Sequence, residues 1–296
     1  MQQLGQQFIG GLAMGSIYAL VAVGLVLVYK VSDVVNFAHG TTIMVTTFVA
    51  LKLVDNHVPL VLAFLAAMAA GAGLGAAVHG LVLQRARNAT VTERLVATIG
   101  VGFVLYSLAG LVWGYDTRGF PEAVTGTPVR LAAVVISRDK LLTFGTAVVL
   151  AVALFLFFRY NKAGIALRAM AQNQTAARLM GVPVNRMLLL TWAISAALGA
   201  LAGVLIAPNI LVDPNMMDDV LVKAFAAAVL GGFTSLPGAL VGGLGLGVIE
   251  NFVAASVKIG AIEGTEFKAT FAFLLIIAVL AIRPEGLFGR AQVKKV

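Results

Sequence analysis

Apolar residues fall in long unbroken blocks along this chain, and the polar residues gather in the gaps. The first block runs from Phe8 to Tyr29. It is followed by the ten residues V-S-D-V-V-N-F-A-H-G (31–40), and then by a second block from Thr41 to Val54. The pattern predicts helices over Phe8–Tyr29, Asn36–Val54, Pro59–Leu83, Glu93–Trp113, Lys140–Phe158, Leu188–Pro208, Val220–Phe233, Ala239–Val257 and Ala269–Ile282. Most reach the roughly 20 residues that a helix needs to cross a bilayer. Val220–Phe233 reads as a half-helix, and Ala269–Ile282 as a helix that starts earlier. Continuous runs of this length argue against the alternating strands of about ten residues found in membrane β-barrels. The expectation is an all-α polytopic membrane protein of about eight to nine membrane helices, some broken or short.

Composition sharpens the class. Of 296 residues, 60% are hydrophobic and 11% charged, whereas a soluble domain carries roughly 25% charged residues. With no cysteine, disulfides, thiolate metal sites and a cysteine nucleophile are excluded. His39, His57 and His79 are widely separated and form no metal-ligand pattern. The net charge of +8 is the signature of basic cytoplasmic loops and not of a nucleic-acid partner.

Loop charge gives an orientation. The stretch 83–94 carries Arg85, Arg87 and Arg94 against Glu93. The stretch 159–187 carries Arg159, Lys162, Arg168, Arg178 and Arg186 with no acid, and the tail carries Arg290, Lys294 and Lys295. By the positive-inside rule all three are cytoplasmic. Asn209–Asp219 holds Asp213, Asp218 and Asp219 with no basic residue, and falls outside. Counting crossings puts the N-terminus outside and the C-terminus inside. The neutral leader M-Q-Q-L-G-Q-Q is unlike the positive n-region of a signal peptide. Gly24-Leu-Val-Leu-Val…Asn36 also aligns at constant offset with Gly203-Val-Leu-Ile-Ala…Asn215, the pattern of an inverted repeat. The reading is a single transmembrane domain over 1–296. Its parts are a first repeat (1–113), an outer loop (114–139), a connecting helix (140–158), a cytoplasmic loop (159–187) and a second repeat with a basic tail (188–296).

Candidate chemistry is sparse. Asn36, Phe37, His39 and Gly40 lie where polar residues interrupt membrane-grade helices, and polar groups there are costly unless paired or facing a cavity. Two readings stand. Asp33 and Asn36 cap a helix starting near Phe37 while His39 packs on a neighbour, or Asn36 and His39 touch a passing solute. In the basic loop, Ala163–Ala171 and Thr175–Gly181 have helical composition, with Gly181, Val182 and Pro183 as a stop. Two short helices in a loop longer than topology requires predict a docking element. The segment from Leu230 to Gly247 is rich in glycine but lacks G-x-x-x-x-G-K-[ST], so it is no nucleotide loop. Close helix packing around a break at Leu236-Pro-Gly238 is expected, with pore lining as a compatible role. Glu250 and Asn251 are read as lone polar residues near the outer end of a helix that reach the interface, and His79 as an interhelical hydrogen bond. No carboxylate pair, Ser-His-Asp set or zinc pattern supports an enzyme.

These residues resemble a known family. Gly15-Ser16-x-Tyr18-Ala19-Leu20, Val28-Tyr29 and Asn36-Phe37-Ala38-His39-Gly40 are similar to the opening of permease subunits of bacterial branched-chain amino-acid ABC importers, of the Liv H-type. Ala163-Gly-x-Ala-x-Arg168 with Ala177-x-Leu-Met-Gly181 is similar to that family's coupling loop, and so are Gly203-Val-Leu, Val229-Leu-Gly-Gly232 and the ending Arg283-Pro-Glu-Gly-Leu-Phe-Gly289. The resemblance implies a second homologous permease, two cytoplasmic ATPases and a periplasmic binding protein as partners, in the bacterial inner membrane. It also implies that the chain has no cofactor, ATP being used by the ATPases. The coupling loop would comprise Arg168, Thr175, Ala176, Ala177, Arg178 and Gly181. Against the wider importer motif E-A-A-x-x-x-G, Thr175 replaces the glutamate. A urea or short-amide importer and an ion-coupled secondary transporter are the rival readings.

Overall fold

The computed structural model describes residues 2–86, 88–121, 129–131, 134–256, 258–259, 262–263, 268–283 and 285–289. In chain order the helices are α1 (Gln2–Ser32), α2 (His39–Asp55), α3 (Leu60–Ala77), α4 (Val91–Trp113), α5 (Arg138–Tyr160), α6 (Lys162–Gln172), α7 (Gln174–Leu179), α8 (Val184–Ile210), α9 (Asp218–Gly231), α10 (Leu236–Ser256) and α11 (Lys268–Ile282). Helix α3 continues as a π-helical stretch, Val78–Leu83. Two small antiparallel ribbons join Val129–Leu131 to Val134–Ile136 and Lys258–Ile259 to Ile262–Glu263. The first lies in the expected outer loop, whose residues 122–128 are outside the described residues, as are Arg87 and the basic tail 290–296.

Among the described residues six helices are long and apolar enough to cross a membrane: α1, α3 with its π-helical extension, α4, α5, α8 and α10. The chain is therefore an α-helical polytopic membrane protein. Helix α5 leaves Val149, Val152 and Phe155 more than half exposed, as suits a surface facing lipid.

The chain packs as two compact units. One gathers the described residues within 1–26, 122–148 and 219–296, the other those within 27–121 and 149–218. In the second unit α8 is the hub. A Cβ on Gly71 of α3 would lie 2.7 Å from the Ala196 carbonyl oxygen, and one on Gly75 would overlap the Trp192 backbone. On its other flank, a Cβ on Gly199 would lie 2.6 Å from Ile43 of α2. Small residues at four-residue spacing thus let three backbones approach, which is how apolar helices associate where hydrophobic burial gives no drive. Helix α2 buries Thr42, Thr46 and Thr47, and each hydroxyl donates back to a carbonyl of its own helix, those of Ala38 or Ile43. These three hydroxyls are satisfied locally and need no partner from the bilayer.

In the first unit the glycine-rich segment packs closely. The break between α9 and α10 falls at Gly232–Ser235, ahead of Leu236-Pro-Gly238, which forms the first turn of α10. Proline lacks only an amide that a first turn leaves unpaired anyway. A Cβ on Gly15 of α1 would lie 2.8 Å from the Gly243 carbonyl oxygen, and Gly242 abuts the α9 backbone at Ala227.

Candidate functional site

The interruption at 31–40 is a true break. Helix α1 ends at Ser32, and Asp33 takes a left-handed φ of 55° while its amide closes on the Tyr29 carbonyl at 2.8 Å. Asp33 thus ends the first helix and does not cap the second. Helix α2 starts at His39, later than the sequence predicts, with Ala38 at its N-cap and no side-chain cap. Asn36 is 5% exposed, and its Oδ1 accepts the Ala38 amide at 3.1 Å, an Asx turn that shapes the approach to α2. The expected capping role therefore fails for Asp33 and becomes a turn for Asn36. Aspartate serves both as an N-cap and as a left-handed terminator, and at Asp33 the left-handed turn is the one adopted.

Thr98 of α4, which the sequence reading missed, holds this break. Its hydroxyl accepts the Phe37 amide at 3.3 Å and lies 2.8 Å from the Leu95 carbonyl. His39 is fully buried, with its Cε1 3.1 Å from the place where a Cβ on Gly199 would stand. Gly40 is buried beside it, whereas Phe37 is 44% exposed. The second break, after α8, has the same local design. Leu211 takes a φ of 65°, and Asp213 Oδ1 accepts the Asn215 amide at 2.7 Å. An antiparallel bridge between Val212 and Arg118 pins it.

The basic loop folds as α6 and α7. Each begins with an asparagine whose Oδ1 accepts an amide in the first turn at 2.9 Å, Asn161 to Ala163 and Asn173 to Ala176. Gly181, at φ 85°, ends the hairpin. Leu167, Met170 and Ala177 form an apolar base with Val31 and Val184, buttressed by Phe157 and Phe158. Gln174 Nε2 donates to the Val31 carbonyl. Arg168, Thr175, Ala176, Arg178 and Gly181 are exposed, and Ala177 is buried. At the tip, Leu179 and Met180 are 83% and 85% exposed. This apolar pair went unnoticed because a helix as short as α7 shows no full period of burial.

Two further expectations are corrected. His79 makes no interhelical hydrogen bond: both ring nitrogens are buried without a partner, and the ring sits 6.1 Å from that of Trp192. Glu250 neither stands alone nor reaches the interface. It is 4% exposed, and its Oε1 lies 2.8 Å from the Nζ of Lys223 on α9. Lys223 also meets Asp219 at 2.6 Å and stands 5.7 Å from the ring centroid of Tyr18 on α1. Asn251 donates from Nδ2 to the Gln7 carbonyl at 2.6 Å. One lysine thus ties three helices of its unit together, and pairing makes its burial affordable in an apolar setting. Among the described residues no group of acids and histidines is arranged to hold a metal ion.

Comparison with known proteins agrees with the helical architecture. The family model described as branched-chain amino acid transport system / permease component matches residues 7–280. The chain is 32% identical to the high-affinity branched-chain amino acid transport system permease protein LivH of Salmonella typhimurium, over 98% of this chain and 97% of that protein. It is 33% identical to the corresponding permease protein BraD of Pseudomonas aeruginosa, with the same coverage. Among solved structures, an ABC transporter described as metal-chelate type, in an inward-facing conformation, superposes with a TM-score of 0.53 at 16% identity, covering 94% of this chain and 85% of that one. That likeness concerns the fold alone.

Proposed function

Because the chain belongs to the family of branched-chain amino acid transport permease components, we propose that it is the membrane-spanning permease subunit of an ATP-driven importer. It moves branched-chain or related amino acids across the bacterial inner membrane by alternating access. Its N-terminus lies outside and its C-terminus inside, as the basic loops favour. The three shorter helices α2, α9 and α11 join the six long ones in the membrane, giving about eight to nine membrane elements, and the two similar breaks after α1 and α8 belong to an inverted repeat. The chain itself is not an enzyme and holds no cofactor. A second homologous permease, two ATPases and a periplasmic binding protein complete the system, with lipid around the permeases.

The α6–α7 hairpin carries this reading. A rigid apolar base presents Arg168, Arg178, Leu179 and Met180 outward, the arrangement of a lever with an exposed contact surface. ATP-driven closure of the ATPases moves this hairpin, which shifts α8 and the end of α1 through Val184 and Val31. Phe37, Asn36, His39 and Gly40 lie at the break that this motion reaches. Asn36 and His39 hold its shape, and the exposed Phe37 faces the solute path.

Two experiments test the proposal. Charge reversal at Arg168 or Arg178 is expected to weaken co-purification of the ATPases or to separate hydrolysis from uptake. Normal assembly and coupling in both variants would refute the hairpin as the interface. Uptake of radiolabelled leucine by the complete system, competed by isoleucine and valine but not by urea or amides, is the expected specificity; competition by urea alone would transfer the chain to the rival cargo.

A further inference from the structure

A cavity of about 710 Å³ opens beside α7, wholly within the second unit. Its volume is that of a small-molecule site. Arg94 of α4, Arg178 of α7 and Arg186 of α8 line it together with His79, Trp192 and Gln174, and among the described residues no carboxylate lines it. His79 is 5% exposed and Trp192 1% exposed. Both ring nitrogens of His79, the indole Nε1 of Trp192 and the Nε of Arg94 are buried without a hydrogen-bond partner. Buried polar atoms are paired in the great majority of cases, so four without partners on three residues that line one cavity mark a place where a partner is wanting. An indole N–H and a guanidinium N–H only donate, and a neutral imidazole contributes one further donor.

We propose that this cavity is a regulatory site for a phosphate-bearing anion, held by Arg94, Arg178 and Arg186 at its mouth and by Trp192 and His79 deeper in. Three guanidinium forks match the several oxygens of a phosphate, which are recognised in paired N–H···O contacts. A transported amino acid fits less well, because its ammonium would find no carboxylate among these walls. The source of the phosphate is a lipid headgroup or a soluble phosphate ester. Both share the chemistry that the cavity reads.

The regulatory consequence rests on the coupling role proposed for α6–α7, whereas the binding claim does not. Arg178 and Gln174 belong to α7, and Gln174 also holds the Val31 carbonyl at the end of α1. A ligand bridging α7 to Arg94 and Arg186 favours the hairpin position in which all three arginines face one cavity. It draws the population toward that conformation by its differential affinity, and so slows ATP-coupled cycling.

Tryptophan fluorescence tests this directly. The chain has two tryptophans, so Trp113→Phe leaves Trp192 as the reporter inside the cavity. The full-length variant is placed in phosphatidylcholine nanodiscs and titrated with glycerol 3-phosphate, and in a second arm phosphatidylglycerol replaces the phosphatidylcholine. A saturable change in Trp192 emission with glycerol 3-phosphate assigns a soluble ester, and a change only with phosphatidylglycerol assigns the lipid headgroup; either supports the site. Arg94→Gln and Arg186→Gln, made separately so that one carries the test should the other misfold, are each expected to raise half-saturation about tenfold, the equivalent of one charged hydrogen bond. No emission change in either arm, or a half-saturation unchanged from the parent in both arginine variants, overturns the site. In the assembled transporter the ligand should lower coupled ATP hydrolysis, and Arg186→Gln should relieve the effect. Binding without any change in hydrolysis overturns the regulatory role, while absence of ATP-dependent uptake in the unliganded complex would instead count against the transporter reading.

Discussion

Removing Glu250 should damage this protein far more than removing Asp219, although both carboxylates contact the same ammonium. The side chains of Lys223 and Glu250 are 6% and 5% exposed, whereas that of Asp219 is 63% exposed. At their 2.8 Å separation, an effective dielectric constant of about 20 gives a Lys223–Glu250 attraction of about 6 kcal/mol before desolvation. Desolvation cancels much of it, so the pair as a whole is close to neutral against well-packed apolar residues, while breaking it from one side costs about 3–5 kcal/mol. Solvent screening keeps the Asp219 contact below about 1 kcal/mol. Glu250→Leu and Lys223→Met should each lower the melting temperature of the purified protein in nanodiscs by roughly 6–20 °C on the scale of soluble domains. Asp219→Asn should lower it by no more than about 4 °C. The double variant Lys223→Met/Glu250→Leu should recover most of the loss. Losses that simply add in the double variant, or a Glu250→Leu protein as stable as Asp219→Asn, would refute the argument that the pair ties α9 to α10.

Three further outcomes can be checked with the same protein. Leu179→Asp combined with Met180→Asp should leave the melting temperature unchanged, since both side chains are exposed, yet abolish co-purification with the ATPases; retained co-purification would remove the tip from the interface. Thr98→Val keeps the shape but strands the Phe37 amide, and should cost about 1–3 kcal/mol in thermal stability; an unchanged melting curve would show that the hydroxyl does not hold the break. Gly75→Ala should destabilise α3 against α8 by about 1–3 kcal/mol through overpacking, whereas Gly73→Ala, with open space around it, should not; equal effects at the two positions would contradict the described packing.

Much of the helical framework was legible because an apolar block is a one-dimensional signal. The predicted span Lys140–Phe158 lies inside α5, and Ala239–Val257 overlaps all but the first turn of α10. The short helix at Val220–Phe233 was legible too, and α9 covers Asp218–Gly231. What escaped was pairing. Nothing near Glu250 in sequence announces Lys223, and nothing near Phe37 announces Thr98, because the partners of each pair sit on different elements well beyond one helical turn. Asp33 was misread since aspartate serves both as an N-cap and as a left-handed terminator, and only the direction of the following chain decides between them. The start of α4 is readable from the sequence: Thr90 and Glu93 form a reciprocal capping box, and the T-x-x-E spacing is its signature.

After α11 the segment 285–289 closes on α9. The amides of Leu287 and Phe288 donate to the carbonyls of Leu230 and Gly231 at 2.8 and 3.2 Å, satisfying acceptors that the end of a helix leaves open. Gly286 and Gly232 meet there with φ of 78° and 93°. The order of synthesis makes this a matter of timing. Helix α9 emerges from the ribosome more than fifty residues before the segment that completes it, so during translation its last carbonyls wait for a strap that is made well after them. A stalled or truncated chain ending before residue 287 would carry all the long helices and still expose an unfinished one, a ready mark for membrane quality control, and any fused tag belongs after residue 289.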